Sequence, residues 1–274
     1  DAAWVTLPNR DTPDAVHAAI ENGVDVFSEK PMARSAAELQ DVANAAEGQD
    51  VDVCVGYLWR FHPMSLDLLN LADDGVVGDV KAVNARWFAS NLDVRLADRP
   101  GDYLYDKDAS GGGILQWLGC HWLDLIPWLL GGDSIVRVHA NLASESPHTD
   151  IETNATIEFE TESGVLGTLQ AGYLLREGYD TEISLYGSDG TTKSHRRGPT
   201  TPDGKSELFI DTDATEEFQF PQRTIEYVDP EKKGYFGQIG MTYFETFLEG
   251  SSSKQYEHLA TLEDAIKVLS VLDA

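Results

Sequence analysis

The sequence predicts an α/β segment with a parallel sheet, followed by an α+β segment with a mostly antiparallel, open sheet. In the first sixty or so residues, short apolar strands alternate with amphipathic helices. This alternation is typical of a parallel sheet covered by helices on both faces. From about residue 135 to 228 the chain is mainly strand and turn, with turn signals such as SGV and SDG. That second pattern favours hairpins over crossovers.

The α/β segment contains three predicted strands and two predicted helices. The first helix has Asp11 or Thr12 as its N-cap and Gly23 just beyond its end, and Ser35 caps the second helix. The predicted strands are AAWVTL (2–7), VDVF (24–27) and VDVCVGY (51–57), and the predicted helices are 11–22 and 35–46.

The remainder of the chain is predicted to combine one long strand, a buried helix, a sheet and two closing helices. The segment 194–207 is the most loop-like stretch. The predicted helices are 63–72, 113–130, 234–249 and 261–273, and the predicted strands are 79–90, 135–143, 154–161, 164–174, 181–187 and 207–211.

Acidic residues dominate the charge of this 274-residue chain. Its 47 Asp and Glu against 20 Lys and Arg give a formal charge of −27, which argues against nucleic acids and anionic membranes as partners. Because the acids are spread along the whole chain, we expect a salt-adapted cytoplasmic protein, with an ordinary acidic enzyme as the alternative. No apolar run is long enough to predict a membrane-spanning helix.

The cysteine and histidine patterns predict neither a disulfide scaffold nor a metal site. Cys54 and Cys120 both lie in apolar segments, so two buried free thiols are expected. The seven histidines are scattered, and the sequence contains no CxxC, HxH or HExxH motif.

Lys30 is the first candidate functional residue. It lies in SEKPMA (28–33), directly after a predicted parallel strand, and ligands bind at the carboxyl ends of such strands. A lysine there can hydrogen-bond a substrate hydroxyl or stabilise a developing alkoxide. The alternative is a surface lysine paired with Glu29.

His121 is the second candidate, within the largely apolar helix of GGGILQWLGCHWLDL (111–125). At helical spacing, Trp117, His121 and Asp124 form one stripe, and Asp124 could fix the tautomer of His121. Ser110 could cap this helix, and the glycines could let the backbone approach a ligand or another strand. A histidine that serves only core packing is the alternative to an acid/base.

Taken together and in order, these motifs resemble the Gfo/Idh/MocA family of NAD(P)-dependent oxidoreductases. The resemblance covers essentially the whole chain through the boxes SEKPMA, VGYLWRFHP and GGGILQWLGCHWLDL, and through the closing FETFLEG and TLEDAIKVL. It implies part of a Rossmann dinucleotide-binding domain (1–58) followed by an open-sheet domain with closing helices (59–274). It also implies NAD or NADP as cofactor, and homodimers or homotetramers formed through the C-terminal sheet.

The resemblance also assigns roles to individual residues. Lys30 would orient and polarise the reacting carbinol, and His121 would take or return the hydroxyl proton. Trp117, His121 and Asp124 are the expected substrate-binding residues. The expected cofactor-binding residues are Thr6, Pro8, Asn9, Glu29, Lys30, Trp59 and Arg60.

Two departures from the family pattern affect these expectations. Trp117 occupies a position where the family commonly has aspartate, so an indole face replaces a carboxylate that could tune His121. The family's GxGxxG turn is also missing, since it belongs upstream of Asp1. We therefore expect this chain to be an N-terminally truncated fragment that binds the dinucleotide weakly or not at all.

The leading functional hypothesis is hydride transfer between NAD(P) and a hydroxyl carbon of a sugar, sugar derivative or cyclitol. One alternative is NAD-dependent glycoside hydrolysis, in which the hydride is transferred and returned. Another is a non-catalytic sugar or dinucleotide sensor on the same fold, which Trp117 favours and intact Lys30 and His121 disfavour.

Overall fold

The structure is a computed structural model of the chain, and it describes residues 1–144, 146–198, 205–213, 220–228 and 237–274. Its described strands form one sheet of four strands and one of eight. The predicted succession of a parallel α/β segment and a mostly antiparallel sheet is confirmed. No helix in the described ranges is both long and apolar enough to cross a membrane.

The first sheet contains, in spatial order, β1 (Ala2–Val5), β2 (Asp25–Ser28), β3 (Val53–Val55) and β12 (Ala260–Thr261). Strands β1 to β3 are parallel, and β12 adds antiparallel to β3 from near the C-terminal end of the chain. The side chain of Ser35 caps α2 as expected. The elements are β1 (Ala2–Val5), α1 (Thr12–Glu21), β2 (Asp25–Ser28), α2 (Ala36–Ala46) and β3 (Val53–Val55).

The second sheet has the order β11-β10-β9-β8-β4-β7-β6-β5, in which only the β4–β7 pair is parallel among the described pairings. Its elements start after a 3₁₀ turn at Leu58–Phe61. They are α3 (Pro63–Asp73), β4 (Val80–Ser90), α4 (Leu92–Asp98), α5 (Lys107–Ser110), α6 (Cys120–Leu129), β5 (Ile135–Ala143), β6 (Asn154–Thr161), β7 (Leu166–Leu175), β8 (Tyr179–Gly187), β9 (Gly190–Gly198), β10 (Lys205–Thr212), β11 (Gln222–Val228), α7 (Gly237–Glu249), β12 (Ala260–Thr261) and α8 (Leu262–Asp273).

The prediction of a loop over 194–207 is wrong for most of its length. Strand β9 continues to Gly198 and β10 begins at Lys205, while 199–204 lie outside the described residues. The short helices α4 and α5 and the strands β11 and β12 were also not predicted. Arg196 illustrates the reason, because it is 2% exposed on β9 although its charge suggests a surface loop.

Helix α6 lies in the core. Eight of its ten residues are buried, among them Trp122, which is 2% exposed. The Trp122 indole donates to the carbonyl oxygens of Arg86 on β4 (2.9 Å) and Glu182 on β8 (3.1 Å). Because these bonds fix α6 against the second sheet, they also fix the position of His121.

Candidate active site

The turn after β2 ties the first sheet to the segment before α6. The Lys30 ammonium donates a hydrogen bond to the Trp117 carbonyl oxygen. The Gln116 side-chain amide donates to the carbonyl oxygens of Ala33 (3.1 Å) and Arg34 (3.3 Å). Lys30 therefore points toward the segment that precedes α6.

The glycines before α6 serve close packing of the backbone. Gly113 lies against Glu152, so that a Cβ built on it would be 2.0 Å from the Glu152 carbonyl oxygen. Gly111 adopts φ +87° and packs against Arg34. These contacts hold the glycine-rich segment 111–113 between Arg34, which follows the turn after β2, and Glu152, which precedes β6.

The helix N-terminus is capped by a carboxylate from elsewhere in the chain. Glu152 accepts hydrogen bonds from the backbone N–H groups of Gly113 (2.7 Å) and Leu115 (3.0 Å). A carboxylate is favourable there because the first N–H groups of a helix have no partner within it. The expected cap, Ser110, instead donates to the carbonyl oxygens of Asp106 and Gly112.

A π-helical turn at Leu115–Gly119 precedes α6 and changes its register. A π turn contains more residues per turn than an α turn and is frequent at functional sites. Trp117 consequently packs near Tyr173, whereas His121 packs against Trp87 and Tyr57. Trp117 and His121 thus contact different aromatic rings, and the single stripe of Trp117, His121 and Asp124 stays a prediction.

His121 is a buried, neutral imidazole. It is 5% exposed, and its ring stacks on Trp87 with centroids 5.2 Å apart and an interplanar angle of 22°. Burial, with the positive charge of Lys30 as a second cause, holds the pKa of His121 well below its usual value. Its Nδ1 atom is buried without a hydrogen-bond partner among the described residues, so Nε2 is the nitrogen available for proton exchange.

Asp124 does not orient His121, because it binds Arg60. The Arg60 guanidinium donates to both Asp124 oxygens, at 2.5 and 3.0 Å, and its Nη1 lies 3.3 Å from Asp264. Burial raises the pKa of the Asp124 carboxyl to about 6 despite the opposing charge of Arg60. Arg60 and Asp124 thus form a buried ion pair on the side of α6 that faces α8, lining a different cavity from that of Lys30.

The first cleft is a cavity of about 390 Å³ at the carboxyl ends of β1 and β2. It brings together five of the predicted site residues with others that were not predicted to lie there. The predicted ones are Thr6, Asn9, Glu29, Lys30 and Trp117, and the others include Gln116, Arg99, Asp102 and Tyr103.

Two further predicted cofactor residues lie outside the lining of the first cleft. Trp59 is buried in an aromatic cluster with Trp87 and Trp122. Pro8 precedes α1, and its carbonyl oxygen accepts hydrogen bonds from Asp11 and Thr12. Both residues lie beside the lining of the first cleft, and their contact with the cofactor stays a prediction.

The second cleft adjoins the first and has a volume of about 310 Å³. Trp117 and Arg99 line both clefts. In the second cleft, Arg95 on α4 lies beside Tyr105 and Tyr179. Arg95 was not among the candidate residues, because α4 was not predicted. Across the described ranges, no group of three His, Cys, Asp or Glu side chains is placed to hold a metal ion.

Comparison with known protein families shows matches over two segments of the chain. Residues 1–57 match the model for the oxidoreductase family with an NAD-binding Rossmann fold, and residues 66–193 match the Gfo/Idh/MocA C-terminal domain. The chain belongs to the Gfo/Idh/MocA family. The predicted fold class, a Rossmann-type segment followed by a mostly antiparallel open sheet, is confirmed.

Individual relatives are sugar and inositol oxidoreductases. D-xylose 1-dehydrogenase (NADP(+)) 2 of Haloferax volcanii is 27% identical over 213 residues, which cover 78% of this chain and 62% of that protein. The inositol dehydrogenase homologue of Azotobacter vinelandii with NAD+ has a TM-score of 0.82 at 17% identity, covering 99% and 74% of the two chains. Levoglucosan dehydrogenase with NADH and levoglucosan has a TM-score of 0.80 at 18% identity, covering 98% and 76%.

Proposed function

We propose that the protein is an NAD(P)-dependent dehydrogenase that transfers a hydride between the nicotinamide and a hydroxyl carbon of a sugar, sugar derivative or cyclitol. The observation that carries the proposal is the link between Lys30 and the segment that leads to His121. A cation and a neutral imidazole are thereby held at the junction of a dinucleotide-binding fold and an open sheet. The relatives, which are named as dehydrogenases of a sugar and an inositol, support the same chemistry.

The residues of the first cleft fit the nicotinamide end of the cofactor. Thr6, Asn9 and Glu29 follow β1 and β2, where dinucleotides bind in open α/β sheets. The Asn9 amide is held by the Ser110 carbonyl oxygen at 2.7 Å, which positions it at the cleft wall. When bound, NAD(P) supplies the hydride acceptor or donor.

Lys30 and His121 would have different roles at the substrate hydroxyl. The Lys30 ammonium would bind the hydroxyl oxygen and stabilise the negative charge that develops on it. It would do so either in place of its hydrogen bond to the Trp117 carbonyl oxygen or in addition to that bond. His121 would accept the hydroxyl proton at Nε2 in oxidation and return it in reduction. A lowered pKa suits this role, because the imidazole is then unprotonated at neutral pH and ready to act as a base.

The decisive experiment is turnover by the protein expressed from its complete reading frame. We would follow reduced-nicotinamide absorbance with NAD and NADP, in molar salt, over neutral sugars, sugar acids and cyclitols. His121→Ala and Lys30→Ala should each lower kcat by about 10²-fold or more. His139→Ala, which alters an exposed histidine on β5, is the matched control and should retain activity.

Loss of activity in the control as well would point to misfolding rather than chemistry. Absence of turnover on every substrate, with cofactor still bound, would overturn the dehydrogenase and favour a sensor. Release of a free sugar from a glycoside without net NADH would instead favour hydrolysis.

We also propose a domain boundary near residue 58 and a homodimer or homotetramer formed through the second sheet. Leu166 and Leu174 support such a contact, since they are 59% and 48% exposed on β7, an interior strand of that sheet. Analytical ultracentrifugation of the wild type and of Leu166→Glu tests the contact, and an unchanged mass would contradict it.

A further inference from the structure

The second cleft contains a half-buried arginine surrounded by aromatic rings. The guanidinium carbon of Arg95 lies 4.6 Å from the ring centroid of Trp117, 5.5 Å from that of Tyr173 and 5.3 Å from that of Tyr179. Its Nε donates to the Ser90 carbonyl oxygen at 3.0 Å. These contacts hold the guanidinium in place at the wall of the cleft.

Arg95 forms no salt bridge with any residue in the described parts of the chain. Neighbouring arginines do find carboxylates, since Arg99 lies 3.6 Å from Asp102 and Arg86 lies 3.0 Å from Asp180. In a chain with 47 acidic and 20 basic residues, a half-buried arginine without an acidic partner is unexpected. Its charge is therefore available to an anion from outside the chain.

The aromatic contacts leave the arginine able to bind such an anion. Rings stack on the faces of a guanidinium, whereas its N–H groups point outward in the plane and form paired hydrogen bonds with carboxylates. Stacking thus orients the group and removes little of its donor capacity. Two acids, Asp98 and Glu177, also line the cleft, but both are exposed, so water and salt screen their repulsion.

Trp117 connects this cleft to the proposed site of hydride transfer. Lys30 binds its carbonyl oxygen on the side of the first cleft, and Arg95 lies over its ring on the side of the second. A substrate whose reacting hydroxyl lies at Lys30 can therefore extend past Trp117 toward Arg95. Two cations would then contact one ligand at two separate points.

We propose that Arg95 binds a carboxylate of the substrate, so that the preferred substrates are sugar acids rather than neutral sugars. This inference rests on the proposed dehydrogenase function and narrows its substrate class. Arg95 acts here as a specificity-determining residue, because a neutral sugar of the same shape leaves its donors without a charged acceptor.

The test compares pairs of sugars that differ only at C6: D-glucose with D-glucuronate and D-galactose with D-galacturonate. The wild type should have the higher kcat/KM for the acid of at least one pair. Arg95→Met and Arg95→Lys should lower the acid-to-neutral ratio of kcat/KM by about tenfold to a hundredfold. Arg99→Met, which alters the carboxylate-paired arginine of the same cleft, should change that ratio much less.

Calorimetry gives a readout that does not require turnover. In the presence of NAD(P)H, which prevents oxidation, the acids should bind the wild type and should bind Arg95→Met at least tenfold more weakly. If neutral sugars are oxidised as well as the acids, or if Arg95→Met lowers both equally, the inference is overturned while the dehydrogenase stands. If no sugar is oxidised but the acids still bind through Arg95, the dehydrogenase fails and the anion site stands.

Discussion

The imidazole of His121 stacks on the indole of Trp87, with ring centroids 5.2 Å apart. Trp87 belongs to β4, the strand that pairs with both β7 and β8 in the middle of the second sheet. The proposed base is thereby fixed against a strand that is paired along most of its length on both sides. This burial has a consequence for stability as well as for chemistry, because the folded protein resists protonation of His121.

Stability should fall in mild acid through His121. Its pKa is well below its usual value in the folded protein but near 6.5 in the unfolded chain, so the unfolded chain binds the extra proton first. The free energy of unfolding should therefore decline as the pH falls below about 6.5, by up to about 1.4 kcal/mol per pH unit from this residue. Urea titrations at pH 5 to 8 measure it.

His121→Gln provides the comparison for that measurement. The variant lacks the titrating imidazole, so the difference in unfolding free energy between wild type and variant should shrink as the pH falls below 6.5. Parallel curves for the two proteins over this range would show that His121 does not titrate with a lowered pKa.

Lys30→Met should shift the pH dependence of oxidation. The charge of Lys30 is the second cause, after burial, that lowers the pKa of His121. Removing it should raise that pKa, so the acid limb of the kcat/KM profile should move to higher pH while kcat falls. Lys30→Arg retains the charge and should leave the limb near its wild-type position. If the acid limb does not move in Lys30→Met, the charge of Lys30 does not lower the pKa of His121.

Breaking the ion pair of Arg60 and Asp124 should be strongly destabilising. Their side chains are 5% and 1% exposed, so Arg60→Met leaves a buried carboxylate without its main partner, at a cost of about 3–5 kcal/mol. The double variant Arg60→Met/Asp124→Leu should recover much of that loss, because neither charge remains buried alone. Denaturant unfolding of the wild type, Arg60→Met and the double variant measures the loss of stability and its recovery.

The exposed pair of Arg137 and Glu160 is the control for that comparison. Arg137 is 75% exposed, and Arg137→Met should change the unfolding free energy by no more than about 1 kcal/mol. Equal losses in Arg60→Met and Arg137→Met would contradict the role assigned to burial.

Gly113→Ala should destabilise the protein through a backbone collision. The added methyl group would lie 2.0 Å from the Glu152 carbonyl oxygen, and relief requires separation of the helix entry from the residues before β6. We expect a loss of about 3 kcal/mol. Gly112→Ala, whose methyl group would lie 3.3 Å from the Gln116 side chain and 3.5 Å from the Glu152 carboxylate, should cost clearly less. Thermal unfolding of both variants checks the order.

The sequence predicted those parts of the structure that depend on local pattern. The helix at 63–73 and the strands at 135–143 and 154–161 follow from periodicity, and the structure has them at or within one residue of the predicted bounds. Lys30 and His121 could be named as candidates because the motifs that contain them are contiguous in the sequence. Local sequence patterns do not predict how these two residues are arranged in space, because that arrangement depends on tertiary contacts.

Three features show what local pattern does not reveal. The π turn at Leu115–Gly119 has no signature distinct from that of an α-helix, so it was not predicted. Asp124 was assigned to His121 by spacing, whereas its partner, Arg60, is 64 residues away. The ring cluster around Arg95 combines residues from α4, the π turn, β7 and β8, and only the folded chain brings them together.

The pairing of β12 with β3 has a consequence for how the chain is made. Thr261 lies opposite Cys54, so the fourth strand of the first sheet is supplied about two hundred residues after the third. During synthesis, the early strands leave the ribosome long before their partner exists. The edge of β3 is therefore open for most of translation, and contacts of such long range form slowly. The first sheet is therefore completed only after the C-terminal segment has been made, and until then the edge of β3 can pair with a neighbouring chain.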